Sequence, residues 1–167
     1  MGRGLLGLAF VSLISVGAIF GFFYAWVCST MWGLDATDPR VAITAMQAMN
    51  ASVRNGVFFP AFFLTPVFLG VTALVAVSQR HKGAAALFGS AAVIYFLGAF
   101  LVTASVNVPM NEALGAITVP TDQAAAQEIW TAYSSQWQVW NLIRTLVSGL
   151  SLVLTGLGIF ALGRHSA

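Results

Sequence analysis

Charged residues are scarce in this chain: Asp, Glu, Lys and Arg make up only 7% of its 167 residues, whereas 59% are hydrophobic. In soluble globular domains about a quarter of the residues are charged. The composition therefore excludes an ordinary water-soluble fold and predicts an integral membrane protein. The seven Lys and Arg residues are also scattered along the chain. Since no basic tract is present to follow a nucleic-acid backbone, nucleic acid is not an expected partner.

The side chains that usually hold metals and cofactors are equally few. The chain has one cysteine and two histidines, and both histidines, His81 and His165, fall outside its apolar runs. A haem or a carboxylate-histidine di-iron centre in a helix bundle needs inward-facing ligands at helical spacing. No P-loop or glycine-rich nucleotide loop is present either. The sequence therefore predicts no metal site, and an enzyme with this sequence is expected to work without a tightly bound cofactor.

Four long apolar runs dominate the sequence, and each is long enough for a helix to cross a bilayer, which takes about 20 residues. They cover approximately residues 5–26, 56–77, 84–106 and 140–162. The runs are continuously apolar and do not alternate as barrel strands do. We therefore predict an all-α fold, a four-transmembrane-helix bundle in a single membrane domain over residues 1–167. The first run is expected to be a retained span, because it is too long for a signal peptide and has no small-residue cleavage site.

The few charges indicate an orientation. No acid lies near Arg3, Arg164 or the turn at residues 80–82, whereas all five acids lie in segments 28–55 and 107–139. By the positive-inside rule, both termini and the short turn are predicted to be cytoplasmic. We therefore expect a multi-pass protein of the plasma (inner) membrane, with both long segments and any binding site on the outer face.

Both outer segments are predicted to be mainly helical. In the first, Thr37 or Asp38 caps a helix that starts with Pro39 and is expected to continue into the second span. In the second, no glycine or proline follows Asp122 until Gly149. One helix is therefore predicted from about Asp122 through the fourth span. The second and fourth helices are thus expected to be extended on the outer face.

The connection at residues 107–120 is expected to form a roof over this face. Pro109 disfavours helical geometry at the residue before it, which predicts that the third span ends near Asn107. Asn107 and Asn111 flank this break. Their amides are expected either to cap the helix end or to face a bound ligand.

The stretch WTAYSSQWQVWNLIR, residues 130–144, precedes the fourth apolar run. At 100° per residue, six of its side chains fall within an arc of roughly 100°: Trp130, Tyr133, Trp137, Trp140, Asn141 and Arg144. Ser148, Ser151 and Thr155 continue this arc into the span, where polar side chains usually face the protein interior. Gly149 and Gly156 lie beside the arc and are expected to allow close approach of another helix.

An aromatic belt is the alternative interpretation of this stretch. Trp and Tyr concentrate at membrane interfaces, and Arg144 at the outer boundary would then extend its guanidinium into water. The phase shared with the polar residues of the fourth span favours the inward-facing interpretation. For Tyr24, Trp26 and Trp32, which flank the first span, the belt is favoured.

A second polar stripe is predicted on the second helix, provided that this helix is continuous. Its members share one side: Gln47, Asn50, Arg54, Phe58 and Thr65. Pro60 and Pro66 are expected to kink the helix and shift this phase. Converging stripes of this kind predict an outer cavity with aromatic walls, amides and two arginines.

Such a cavity suits a flat phenolic or quinone-like lipophile, because tryptophan faces stack on rings and arginine stabilises an enolate or phenolate. Glu112, beside Asn111 in the roof, is the best-placed candidate for a base. A solvated loop carboxylate is the alternative interpretation of Glu112.

The motifs MQAMN (46–50), NVPMNEAL (107–114) and W..Y...W..WN..R (130–144), set in a four-span chain, resemble those of anthrone oxygenase-like membrane proteins. The resemblance implies a four-helix membrane bundle and the oxidation of a polyketide anthrone to an anthraquinone with dioxygen. Nine positions match the family pattern: Asn107, Pro109, Asn111, Glu112, Trp130, Trp137, Trp140, Asn141 and Arg144.

These observations lead to a cofactor-independent oxygenase of a lipophilic aromatic small molecule as the favoured hypothesis. The expected catalytic residues are Glu112, Arg144 and Asn111. The expected substrate-binding residues are Gln47, Asn50, Arg54, Asn107, Trp130, Tyr133, Trp137, Trp140 and Asn141. The alternative is an accessory subunit that holds a quinone, carotenoid or lipid in a larger membrane complex, and a homo-oligomer is left open. A bare structural bundle would have Arg144 facing lipid.

Overall fold

The computed structural model describes residues 2–164, and within them the chain is helical and has no strand. The helices are α1 (Arg3–Asp35), α2 (Pro39–Ser52), α3 (Phe58–Ser78), α4 (Lys82–Gly115) and α5 (Gln123–Arg164). Of these, α1, α3, α4 and α5 are long and apolar enough to cross a membrane. The prediction of a multi-pass, all-helical protein is therefore confirmed. His165 lies outside the described residues.

The four long helices pack side by side, so that α1 contacts α3 and α5, and α4 contacts the same two helices. The N–H of Gly2 donates to Oε1 of Gln79 at 3.3 Å. The start of α1 therefore lies at the same end of the bundle as the short α3–α4 turn. In that turn Arg80 has a left-handed backbone (φ 64°), and the N–H of His81 closes the end of α3 on the carbonyl of Ala76 at 2.9 Å.

Small residues set the distances between these helices, because packing rather than the hydrophobic effect drives helix association in lipid. A Cβ on Gly149 would lie 3.1 Å from a ring carbon of Phe20, whereas a Cβ on Gly156 would have no neighbour within 4 Å. Close approach is thus confirmed at Gly149, and the expectation for Gly156 was wrong. The tightest positions are Gly98 against Val147 and Gly158 against Phe88.

Pro66 lies inside α3 without ending it. Proline has no N–H, so the carbonyl of Phe62, one turn earlier, loses its helical donor. The hydroxyl of Tyr95 on α4 donates to that carbonyl at 3.1 Å, and Tyr95 is fully buried. This bond replaces the missing one in a region where no water is present to do so.

Helix α2 does not continue into α3, contrary to the prediction. The chain turns at residues 53–57. There the side-chain oxygen of Asn55 accepts the N–H groups of Val57 at 2.8 Å and Phe58 at 2.9 Å, which caps the start of α3. The Asn55-Gly56 pair favours a turn over a helix. The break leaves Thr65 buried inside α3, where its hydroxyl bonds its own helix at the carbonyl of Ala61.

Helix α4 does not end near Asn107, which is a second correction. It runs on through Pro109 to Gly115 and contains π-helical segments at Phe96–Leu101 and Thr103–Asn107. The N–H of Val108 bonds the carbonyl of Thr103, five residues earlier. A wider π turn relieves the clash between a proline ring and the preceding helical turn. Neither Asn107 nor Asn111 caps a helix end.

The predicted cap of α2 at Asp38 is confirmed, and α5 begins near Asp122 as predicted. Asp38 accepts the N–H of Arg40 at the start of α2. The Arg40 side chain also donates to this carboxylate and holds the pKa of Asp38 at about 2, so the cap stays ionised at neutral pH. Asp122 accepts the N–H of Ala125 at 2.8 Å. Helix α5 then runs unbroken for 42 residues, as predicted.

Candidate functional site

A cavity of about 310 Å³ lies between α2 and the four long helices. Eight of its seventeen lining residues are aromatic; they are Phe22, Phe23 and Trp26 of α1, Phe58, Phe59, Phe62 and Phe63 of α3, and Trp137 of α5. This volume is within the range of small-molecule sites, which combine apolar walls with a few placed polar groups. The polar groups here are the side chains of Asn50, Arg54, Thr103, Asn111, Glu112 and Arg144.

Arg144 faces the interior of the bundle and is only 4% exposed. Its Nη2 donates to Oδ1 of Asn141 at 3.0 Å, and its Nη1 donates to Oγ1 of Thr103 at 3.2 Å. The guanidinium carbon lies 4.5 Å from the ring centre of Phe23 and 5.3 Å from that of Trp137. Among residues 2–164 Arg144 has no carboxylate partner. It therefore presents a buried, uncompensated positive charge to the cavity.

Asn111 also lines the cavity, and its side chain connects α4 to α5. Its Oδ1 accepts the Tyr133 hydroxyl at 2.8 Å and Nε1 of Trp137 at 2.9 Å. Both bonds use the carbonyl oxygen of the amide, so its Nδ2 remains to donate to a ligand. Trp137 is held by this bond with its ring 5.1 Å from that of Trp26.

Four buried polar atoms near these groups have no partner within residues 2–164: Nε of Arg144, Nδ2 of Asn50, and both Nδ2 and Oδ1 of Asn107. Asn107 is fully buried and lies between Thr103 and Asn111 along α4. An unsatisfied buried polar group costs about 1–3 kcal/mol. These atoms therefore mark positions that favour a polar ligand atom or a water molecule.

The opposite side of the cavity is more open. Nη2 of Arg54 lies 3.2 Å from Oε1 of Glu112, and their side chains are 51% and 58% exposed. Exposed ion pairs contribute little stability, and this pair is free to separate when a ligand needs either group. Arg54 and Glu112 thus form the solvent-facing rim, whereas Arg144 lies at the buried end.

Six of the twelve residues predicted for the site line this cavity: Asn50, Arg54, Asn111, Glu112, Trp137 and Arg144. The other six are not among its lining residues: Gln47, Asn107, Trp130, Tyr133, Trp140 and Asn141. Gln47 donates to the carbonyls of Leu114 and Ile117 and so holds the end of α4 over α2. Asn141 orients Arg144 and donates to the Phe23 carbonyl at 3.0 Å. Trp140 is only half-buried, the exception in its stripe.

Trp130 belongs to a separate contact that the sequence did not reveal. Its Nε1 donates to Asp35 at 2.9 Å, Ser134 donates to the same carboxylate at 2.7 Å, and Gln138 donates at 2.9 Å. Asp35 ends α1, where a carboxylate meets the negative end of the helix dipole. Three donors from one face of α5 compensate for this, and they attach the C-terminal part of α1 to the N-terminal half of α5.

Removing this carboxylate is expected to weaken the packing of the C-terminal part of α1 against α5. Asp35→Ala leaves the donors of Trp130 and Ser134, which are 2% and 3% exposed, without an acceptor. We expect a loss of about 1–3 kcal/mol in unfolding free energy, measured as thermal unfolding in detergent. Asp35→Asn keeps an acceptor oxygen and is expected to lose less. Equal stability of Asp35→Ala and the unchanged protein would show that the contact is not stabilising.

Phe58 was predicted on the second stripe and lines the cavity. Sequence reasoning missed the other phenylalanines of α1 and α3, because a uniformly apolar run gives no phase that separates cavity from lipid. Trp26 was assigned to an interface belt, but it lines the cavity and begins a π-helical segment, Trp26–Thr30. Tyr24 and Trp32 are exposed, as a belt requires. Thr103 also lies in a π-helical segment, and such segments often occur at functional sites.

The arrangement is suited to hold a flat aromatic molecule with one oxygen facing Arg144. Aromatic walls stack on rings, and a guanidinium in a water-poor site stabilises negative charge on oxygen. Within residues 2–164 no three His, Cys, Asp or Glu side chains are grouped as a metal ion would require. The polar chemistry of the cavity thus comes from two guanidinium groups, amides, one hydroxyl and one carboxylate.

Comparison with protein families gives a match. The sequence profile of a family described as Anthrone oxygenase matches residues 52–154, which is more than half of the 167-residue chain. The matched range includes α3, α4, most of α5 and the rim residues Arg54 and Glu112, whereas Gln47 and Asn50 lie before it. No curated protein and no solved structure matches the chain.

Proposed function

Because the chain belongs to the anthrone oxygenase family, we propose that it is a membrane oxidoreductase that oxidises a flat phenolic polycycle of the anthrone type with dioxygen. The observation that supports this most directly is Arg144, a guanidinium 4% exposed and without a carboxylate partner in the described chain. A charge in this setting costs free energy unless a ligand compensates it. An enolate oxygen held between aromatic walls would do so.

The two ends of the cavity match the two reacting ends of an anthrone. In this molecule the carbonyl and the acidic CH₂ group are opposite each other on the central ring. With the carbonyl oxygen at Arg144, the CH₂ group faces the rim, where Glu112 lies. Glu112, or a water that it holds, takes the proton as a general base. The charge then develops on the oxygen next to Arg144.

The reaction balances with dioxygen as the only oxidant. Loss of one CH₂ proton gives the enolate, which passes an electron to dioxygen. Carbon–oxygen bond formation and protonation give a hydroperoxide at that carbon. Removal of the second proton from this carbon, with cleavage of the O–O bond, releases water and leaves a carbonyl. Anthrone and dioxygen thus give anthraquinone and water, without an added cofactor.

The direct test is oxygen uptake by the purified protein in detergent with anthrone as substrate, measured with anthraquinone formation above the spontaneous rate. Glu112→Gln is expected to lower kcat by about tenfold, below the usual range for a general base because water reaches the exposed rim. Glu128→Gln, an exposed acid of α5 away from the cavity, is the matched control and is expected to keep full activity. Identical rates with and without protein would remove this proposal for anthrones.

A ligand-holding accessory subunit is the second candidate, and the Arg54–Glu112 ion pair favours it. At 3.2 Å the guanidinium of Arg54 occupies Oε1 of Glu112, so this oxygen reaches a substrate only after the pair separates. In that case the protein would bind an anthraquinone or another quinone in the same cavity without taking up oxygen. Binding measured together with oxygen uptake separates the two candidates. With both termini on the cytoplasmic side, as the charges predict, the rim faces outward from the plasma membrane.

A further inference from the structure

A second chamber of about 460 Å³ adjoins the cavity on the side between α1 and α3. We name it the vestibule. None of its eleven lining residues is charged. They are Ala18, Ile19, Phe22 and Trp26 of α1, Met49 and Ser52 of α2, Val53, Asn55 and Val57 of the α2–α3 connection, and Phe58 and Ala61 of α3. Ser52 and Asn55 are its polar members. Its chemistry is therefore closer to that of the membrane interior than to that of the rim.

The vestibule and the cavity share part of their walls. Five residues line both: Phe22, Trp26, Met49, Val53 and Phe58. The ring centres of Phe22 and Phe58 are 4.8 Å apart, so these two rings contact each other in the wall that both chambers share. Both side chains are half-buried, and their rotation would join the two spaces.

The break between α2 and α3 borders this opening. Val53, Asn55 and Val57 of the turn line the vestibule. Val57, which lines the vestibule, is 86% exposed. On the α1 side little side-chain volume covers the vestibule, because Ala18 is small and exposed. The vestibule thus opens toward the surroundings of the bundle, along two membrane-spanning helices.

We propose that the vestibule is the route by which an apolar, flat polycyclic ligand passes from the hydrocarbon phase of the membrane into the cavity, between the rings of Phe22 and Phe58. This inference rests on the proposed function for the identity of the ligand. A polycycle of this kind partitions into hydrocarbon, so a path without charged groups is the one that it reaches first. The rim, with Arg54 and Glu112, then serves water and protons.

Filling the vestibule tests the route without touching the cavity. Ala18 and Ala61 line the vestibule but not the cavity. In Ala18→Phe and Ala61→Phe, association and dissociation of 9,10-anthraquinone are both expected to slow by about tenfold with little change in Kd, since a blocked path changes rates rather than the bound state. Stopped-flow quenching of tryptophan fluorescence in lipid nanodiscs measures these rates. Either variant suffices if the other does not fold.

Ala104→Phe is the matched control, because Ala104 is an exposed alanine of α4 next to Thr103 and lines neither chamber. Its association rate is expected to equal that of the unchanged protein. Unchanged association in both vestibule variants would overturn the proposed route, whatever the turnover. Slowed association with no oxygen uptake would retain the route and remove the oxygenase. If the unchanged protein binds no anthraquinone, both are overturned.

Discussion

Arg144→Met is expected to lower kcat for anthrone oxidation by about 100- to 1,000-fold, the usual effect of removing a group that stabilises a developing oxyanion. Arg144 is the buried cation of the cavity, and Asn141 and Thr103 hold its two terminal nitrogens. Methionine fills a similar length of the site but offers no donor to an enolate or peroxide. The rate of anthraquinone formation by the purified variant, corrected for the spontaneous reaction, measures this effect.

Stability distinguishes a chemical role of Arg144 from a structural one. An unpaired buried charge costs free energy of folding, and apolar replacements of buried charged groups are often neutral or stabilising. Arg144→Met is therefore expected to keep or raise the Tm while it loses activity. Arg144→Lys keeps a charge but not the planar guanidinium with its paired donors. Its kcat is therefore expected to lie between those of the unchanged protein and Arg144→Met. A marked fall in Tm together with the loss of activity would show that Arg144 serves the fold.

Gly98→Ala is expected to destabilise the protein by about 2 kcal/mol, within the range for overpacked interiors. A Cβ at Gly98 would lie 2.8, 2.9 and 3.0 Å from three atoms of the Val147 side chain. Helices α4 and α5 would have to separate at this level. Thr103 and Arg144, which bond each other at 3.2 Å one turn further along, would separate with them. Activity is therefore expected to fall together with the Tm.

Gly156→Ala, in contrast to Gly98→Ala, is expected to stabilise the protein. No atom lies within 4 Å of a Cβ at Gly156, so alanine adds only its higher helix propensity, about 1 kcal/mol. Gly98→Ala is thus expected to lower the Tm and Gly156→Ala to raise it. Val147→Ala should restore part of the stability lost in Gly98→Ala, because it removes the two Cγ atoms at 2.8 and 2.9 Å from the new Cβ and keeps only the Val147 Cβ at 3.0 Å. Additive losses in this double variant would place the strain elsewhere.

The features that could be predicted from the sequence are those that depend on helical periodicity and on composition. Four polar side chains of α5 were predicted to lie on one inward-facing side of the helix, and all four are buried: Arg144, Ser148, Ser151 and Thr155. The unbroken α5 followed from a long stretch without glycine or proline. Except for Phe58, which was predicted on the second stripe, the phenylalanines of α3 carry no such phase, because every face of that run is apolar. Their position at the cavity depends on packing against α1 and α4.

The corrections have local physical causes. The Asn55-Gly56 pair in the sequence already favoured a turn between α2 and α3. How this turn changes the direction of the second polar stripe is visible only in the structure. The passage of α4 through Pro109 depends on a π turn, which residue preferences do not specify. The contact of Asp35 with Trp130 joins residues 95 positions apart. No local pattern in a single sequence links such positions.

Because Arg144 has no counter-charge in the described chain, we expect the cavity to bind the ionised form of a weak acid in preference to its neutral form. A ligand that binds tenfold more tightly as an anion than as a neutral molecule has its own pKa lowered by one unit on binding. The same thermodynamic linkage requires that affinity rise as the ligand ionises in the membrane. A phenol or anthrol in this cavity therefore acquires the absorption spectrum of its conjugate base at a pH where the free molecule is still protonated.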